Sequence, residues 1–457
     1  MRDCRLLNHN RARYVFIRLG VMLIFLAGES ELLAAEQTST TPIPGSPSPP
    51  EAAGQPAQKT SPNETTTAAT TKTEAGIARV QEAQADEDPL AKREVAKQVD
   101  SKAAAEQPNR ISLYGSVRIK YGVGEKSSGW SDGGSRAGVN GQWQFRPQYW
   151  LLGRAEVGFN TMDGLQSIKA AFDSNASPPA EQFSDSVFRR LLYVGLETPN
   201  MYLIYGKNWS TYYRIAGYTD RFSVRGGNAS GAYNAGTDGG DSGTGRANDV
   251  LQTRLQLDIF PATLGIAPFN LNMQIQQPQP IPQVSGQKYG TQFGLSAVLT
   301  TRNNYTIGLA YNQANITDLV NPDIQAARIT GNDQAFIIGT RWFGKNWYVG
   351  TVVSRLLNHM TTDEEKYFDT WGWEVFSSYT FQKRYTVTAG LNYLHPDSDQ
   401  SQVGKYQLQY ELLGLRYNFK NLTQYVYVEA QFNQSRLVDG SPIGNSYFIG
   451  VQWDLPG

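Results

Sequence analysis

Cysteine is almost absent from this 457-residue chain: Cys4 is the single one, and it precedes the apolar run Leu19–Gly28 instead of following it. A thiol so placed is not positioned for lipid attachment, and a chain cut beyond it has no disulfide to staple a small core. Histidine is scarce as well, with His9, His359 and His395 the only three. None stands near a serine-acid arrangement or a second metal ligand at turn or helical spacing, so neither hydrolytic nor metal chemistry is expected. His359 and His395 read as loop-surface residues at strand ends. Beyond the N-terminus no apolar stretch approaches the roughly 20 residues of a spanning helix. An excess of charge is missing too, with 41 basic against 41 acidic residues, so no nucleic acid or other polyanionic partner is indicated.

No cofactor is expected. The glycines of Gly239-Gly240-Asp241-Ser242-Gly243-Thr244-Gly245 lack the strand, loop, helix and lysine of a phosphate cradle. The Asp238 to Asp241 oxygens lack the spacing of an EF-hand calcium loop. The chain therefore reads as a non-enzyme.

The N-terminus carries Arg2, Arg5, Arg11, Arg13 and Arg18, then the apolar run, then Ala34 and Ala35. This predicts a signal peptide over residues 1–35, although Leu33 is a poor residue before the cut, and an uncleaved anchor is the alternative. Cleavage removes five arginines and three acids, moving the formal charge from zero to minus two. Residues 36–76 are rich in Thr, Pro, Ala and Ser and read as a disordered linker. Residues 77–110 are charged and alanine-rich, a short periplasmic segment with a helix expected after Pro89. They lack the sustained heptads of a coiled coil.

Residues 111–457 follow another grammar. Leu113, Gly115, Val117, Ile119 and Tyr121 alternate with Ser112, Tyr114, Ser116, Arg118 and Lys120, which gives a strand one face for lipid and one for water. Sixteen such runs can be counted, joined alternately by a short turn and a long polar loop. Turns fall at Thr198–Asn200, Thr301–Asn304, Gly344–Asn346, Gln382–Arg384 and Lys420–Leu422. Long segments include Thr161–Val187, Ile316–Asp333 and Asn358–Asp369. The fold class is all-β: a 16-stranded antiparallel transmembrane β-barrel, its termini on the turn side. A phase slip at Leu412 and Leu413 predicts a bulge. A β-sandwich or β-helix is the rival, but a dry core would not tolerate Arg118, Arg136, Arg154, Glu156, Arg416 and Gln452 on the inner face. Trp347, Trp371, Trp373 and Tyr393 fall on outward faces, as an interfacial aromatic girdle requires.

The longest connection, Trp209 to Asn248, holds eight glycines between Gly226 and Gly245 and is predicted to fold inward without a helix or strand of its own. Its motifs are Tyr205-Gly206-Lys207-Asn208, Gly217-Tyr218-Thr219-Asp220 and Gly226-Gly227, followed by Gly245-Arg246 and Arg254. With Leu113-Tyr114-Gly115, Arg136-Ala137-Gly138 and Arg190-Leu191 before Gly195-Leu196, these resemble the trimeric general porins of Gram-negative outer membranes. The resemblance spans residues 111–455 in architecture and leaves the first 110 residues outside.

It implies a passive channel for ions and small hydrophilic solutes, filtering by size and charge at the third loop. Arg136, Arg190 and Arg246 would form the wall of the constriction and Asp220 the loop acid; the facing pattern adds Arg118, Lys120, Arg154 and Glu156. Where the family usually has Pro-Glu-Phe-Gly-Gly, this chain has Ser223-Val224-Arg225-Gly226-Gly227. Val224 thus replaces the loop glutamate, and Arg221 and Arg225 add positive charge, so a weak anion preference is expected. The resemblance also implies a homotrimer, surrounded by outer-membrane lipid and lipopolysaccharide. The alternating strand ending Tyr447-x-Ile449-x-Val451-x-Trp453-x-Leu455 resembles the signal read by the barrel assembly machinery. A second reading is a surface receptor or adhesin barrel whose long loops bind a host or phage partner.

Overall fold

The computed structural model describes residues 109–125, 128–161, 187–261, 266–301, 303–419 and 424–455. The expected signal peptide, the linker and nearly all of the 77–110 segment lie outside them. So do most of Thr161–Val187, the Lys420–Leu422 turn and the two residues after Leu455.

The alternation becomes strands β1 (Asn109–Gly124), β2 (Ser128–Asp132), β3 (Arg136–Arg146), β4 (Tyr149–Phe159), β5 (Val187–Glu197), β6 (Met201–Trp209), β7 (Arg246–Leu257), β8 (Phe269–Gln276) and β9 (Gln292–Thr300). There follow β10 (Tyr305–Ala314), β11 (Asp333–Phe343), β12 (Trp347–Thr361), β13 (Tyr367–Phe381), β14 (Tyr385–Pro396), β15 (Leu408–Asn418), β16 (Gln424–Asn433) and β17 (Ser446–Leu455). Two short helices interrupt the loops, α1 (Tyr213–Ala216) and α2 (Pro322–Ala326).

From β3 on, each strand pairs antiparallel with its successor, and β1 closes the ring on β17, from Gly115 opposite Leu455 to Gly124 opposite Ser446. β2 and β3 both pair with β1, at Ile119–Val123 and Asn109–Ser116 respectively, so they are two pieces of one spanning strand. The described residues thus form a closed barrel of sixteen strands. The break between β2 and β3 is a local kink in which Asp132 Oδ1 accepts from the amides of Gly134 and Ser135 at 2.7 and 2.8 Å.

The two faces separate as lipid and water demand. Ile111, Leu113, Val194 and Ile275 are exposed on the outer face, whereas Ser296, Thr306, Asn312, Thr388 and Asn392 are buried on the inner one. At the turn end Trp347–Tyr379, Tyr379–Phe381, Phe381–Tyr385, Tyr385–Tyr417, Tyr417–Phe419 and Phe419–Trp453 make consecutive ring contacts. This belt suits the headgroup level, where a ring keeps its apolar body in lipid and its polar edge wet. In the last strand Tyr447, Ile449, Trp453 and Leu455 all lie exposed on the outer face. No helix among the described residues is long and apolar enough to cross a membrane.

Three local expectations are corrected. There is no register shift at Leu412 and Leu413. Leu412 is an inward residue buried with Phe222, Tyr348, Phe376 and Tyr410, so its apolarity reflects a loop packed over it. The register shifts lie instead at Gln144/Arg146, Glu156/Val157, Gly206/Asn208 and Leu356/Met360. Much of the polar Asn358–Asp369 stretch is strand, because β12 and β13 extend to Thr361 and back from Tyr367. The long third loop does carry a helical turn, α1.

Candidate functional site

The third loop, residues 210–245, begins and ends at one point: the Ser210 amide donates to the Gly245 carbonyl at 2.8 Å, and the Ser210 hydroxyl to that of Thr244 at 2.6 Å. Its apolar side packs into the largest buried cluster. Tyr212, Tyr213, Ile215, Ala216 and Tyr218 are buried with Val298, Ala310, Ala335, Ile337, Val352 and Leu356, inward residues of β9 to β12.

The wall beneath the loop is carved from glycine. A Cβ at Gly308 would meet Ile215, at Gly350 the Tyr218 carbonyl, at Gly372 the Ala229 carbonyl, and at Gly390 the Phe222 ring. Each is an inward position on consecutive or neighbouring strands, so the wall lacks side chains where the loop approaches closest.

Polar side chains then fix the loop's backbone. Gln276, Gln292 and Asn312 donate through their side-chain amides to the carbonyls of Gly240, Asp241 and Ser242 at 2.6, 2.6 and 2.7 Å. Further round, two carboxylates take the loop's amides. Glu374 Oε1 accepts from Ala229 and Ser230 at 2.6 and 2.7 Å, and its Oε2 from the Thr219 hydroxyl. Glu429 accepts from the amides of Ser223, Val224 and Arg225 at 2.8, 3.2 and 2.8 Å. Successive amides pointing into one concavity bind an anion, and here the wall provides it. Sequence reading missed both glutamates. Their signal was an acid at an inward strand position, visible only once a partner on the loop is known.

Of the anticipated residues, Arg154, Glu156 and Arg190 come together. Glu156 accepts from Arg154 at 2.7 Å and from Arg190 at 2.8 Å, and the Tyr114 hydroxyl donates to it at 2.7 Å. Arg118 Nε donates to Ser116 Oγ at 2.9 Å, which donates in turn to Asp454 at 2.6 Å. Arg136 lies beside them on β3, opposite Ser116. Arg246 stands in a separate group at the loop root, with Asp238 at 3.6 Å and Lys207 at 3.3 Å from the same oxygen.

Lys120 and Arg225 share one ring, at 5.8 and 5.1 Å from the centroid of Phe448, and Arg221 stacks at 4.1 Å over Tyr348. Asp220 is buried and accepts from the hydroxyls of both Tyr213 and Tyr233 at 2.8 Å. Val224 is buried against Tyr425 and Tyr427.

The six charged residues of the loop divide cleanly. Asp220, Asp238 and Asp241 are buried, whereas Arg214, Arg221 and Arg225 are partly exposed. Neutral in sum, the loop presents arginine.

The two acids at the loop root behave oppositely. Burial alone would raise the Asp238 carboxyl, but Lys207 and Arg246 outweigh it and hold it below the usual range. Asp241 is pushed up to about 6, first by burial and then by Asp238. Ionising Asp241 therefore costs the fold: its contribution is intact below its unfolded value near 3.8 and is lost as pH rises through about 6. Asp241→Asn keeps an acceptor for Asn248, which donates to Oδ1 at 2.8 Å, and removes that loss. We predict that the variant matches the parent at about pH 4 and exceeds it at about pH 7 by roughly 3 kcal/mol in thermal unfolding. Equal stability at both pH values would contradict this.

No known family model matches the chain, and no curated protein matches it in sequence. Solved structures do. OmpF of Salmonella typhi, in a complex with daunomycin, superposes with a TM-score of 0.58 at 18% identity over 76% of this chain and 98% of that one. The chain has the porin fold. The anion-selective porin of Comamonas acidovorans gives 0.55 at 13% identity over 76% and 100% of the two chains. The outer-membrane channel DcaP of Acinetobacter baumannii gives 0.52 at 12% identity over 77% and 98%. The porin fold accounts for the closed ring, the outer apolar face and the outer-membrane type of barrel. At these identities it carries no residue roles.

Proposed function

We propose that this barrel is a passive outer-membrane channel for ions and small hydrophilic solutes, narrowed by the third loop and preferring anions. The observation that carries the reading is the division of charge on the loop, three buried aspartates against three partly exposed arginines. In a confined aqueous bore charges are incompletely screened, so the sign presented at the narrowest point selects the permeating ion. The constriction is assigned to Arg221 and Arg225, with Arg118, Lys120, Arg136, Arg154, Glu156, Arg190 and Arg246 as a buried charged wall behind them that fixes its shape. Asp220 serves as an internal hydrogen-bond acceptor that holds the loop's shape. Likeness to a porin described as anion-selective supports this sign.

The reading includes no turnover. It takes the chain as a homotrimer, a role for which the outward Val194 and Leu196 of β5 supply apolar surface. Lipid and lipopolysaccharide would cover the remaining belt, and the assembly machinery would read β17.

Planar-bilayer recording of the purified protein tests it. The expected result is a large, steady conductance inserting in groups of three steps, with a reversal potential in a potassium chloride gradient set mainly by chloride. A barrel without conductance, or one set mainly by potassium, would overturn it.

A further inference from the structure

Away from the arginines, the outer end of β12 carries a closed polar chain. His359, expected on a loop surface, is fully buried, because β12 continues past its bulge and turns the ring inward beneath the third loop. Its Nδ1 lies 2.6 Å from Asp333 Oδ1 and its Nε2 lies 2.7 Å from the carbonyl oxygen of Gly231. Asp333 Oδ2 accepts from the Tyr289 hydroxyl at 2.8 Å.

A carbonyl oxygen cannot donate, so Nε2 must carry hydrogen. One further proton must then lie between Nδ1 and Asp333 for both contacts to be hydrogen bonds. Without it, the imidazole lone pair faces a carboxylate. The carbonyl it holds is fixed in place: Gly231 has φ +77°, and a Cβ there would lie 2.5 Å from Leu356.

We propose that the proton shared by His359 and Asp333 is a latch holding the third loop to the wall, released as pH rises. Burial beside Asp333 pushes the Tyr289 hydroxyl well above the ordinary range, so it stays protonated. The Tyr367 hydroxyl of β13 is committed to the Pro282 carbonyl at 2.7 Å, and that of Tyr212 to the Ser230 carbonyl at 2.6 Å. On the same strand Asn358 bonds the amide of Thr330 and the carboxylate of Asp369. None of these groups replaces the shared proton. Its loss sets a carboxylate against a lone pair, opens the contact and frees the segment around Gly231.

The gating readout rests on the channel reading; the exchange readout does not. Recordings of the full chain from about pH 7 to about pH 10, above the range of Asp241, should show brief closures and sublevels rising roughly fivefold, the population change for one lost hydrogen bond. His359→Gln and Asp333→Asn, which keep a donor to Gly231 and have no shared proton, should show no such rise. Independently, hydrogen exchange of the peptide over residues 226–245 should give a parent-to-His359→Gln ratio that climbs with pH. The same rise in all three proteins, or a constant exchange ratio, would overturn the latch. If no conductance is seen but the exchange ratio climbs, the channel reading fails and the latch stands.

Discussion

Arg221→Glu combined with Arg225→Glu is expected to shift the permeability ratio of the channel strongly from anions towards cations. Both side chains are partly exposed, while the contacts that place the loop here are made by their backbones. The Arg221 carbonyl accepts from Arg416 at 2.7 Å, and the Arg225 amide donates to Glu429. The exchange therefore reverses charge while leaving these backbone contacts in place, and it removes the ring contacts to Tyr348 and Phe448. A unit charge at contact distance is worth about 1 kcal/mol in water-like surroundings, and salt reduces it. Reversing two of them should move the anion-to-cation permeability ratio by roughly tenfold. Reversal potentials that stay put while conductance is normal would remove these arginines from the filter. Val224→Glu is a poorer probe, since Val224 is buried under Tyr425 and Tyr427 and a glutamate there would meet Glu429.

Glu374→Ala should do the opposite, leaving the charge of the bore largely intact and loosening its shape. Two loop amides and the Thr219 hydroxyl lose their acceptor in a buried setting. The Thr219 hydroxyl can turn to the Ala216 carbonyl at 3.2 Å, so at about 1–3 kcal/mol for each of the two orphaned amides, loop attachment should weaken by roughly 2–6 kcal/mol. The expected consequences are a noisy channel with many sublevels and a lower unfolding temperature. Glu374→Gln keeps an acceptor for both amides and should behave much closer to the parent. If alanine and glutamine variants prove equally quiet and equally stable, the carboxylate is not the anchor of this loop.

The barrel was legible in the chain because its cause is local. A strand with one face in lipid and one in water must alternate, and a closed ring of such strands must be even in number and joined alternately by turns and loops. The outward rings near the turns, the apolar outer face of β17 and the inward arginines all follow from position within a strand. Strand ends were less legible. Polar residues at the outer end of β12 and β13 look like loop in sequence, yet Thr361 and Tyr367 are paired, because strands there rise past the apolar belt.

The site was legible only in its outline. Loop length and glycine content marked the third loop as unusual, and alternation placed the arginines of β1, β3, β4 and β5 on inward faces. Which loop charges are buried was not legible, because Asp220 and Arg221 are neighbours in the chain and opposite in exposure. That difference comes from Tyr213 and Tyr233, which hold Asp220 under the loop. The same holds for Glu374, Glu429 and His359, whose partners on the third loop lie more than 100 residues away.

By itself, then, the sequence determined a membrane-spanning barrel with a long glycine-rich third loop, since alternation, turn chemistry and loop length act over a few residues each. Tertiary structure alone decided what that loop displays and what it hides. The deciding forces are the packing of the loop on a wall stripped to glycine and the capture of its amides by distant carboxylates, and neither has a local trace.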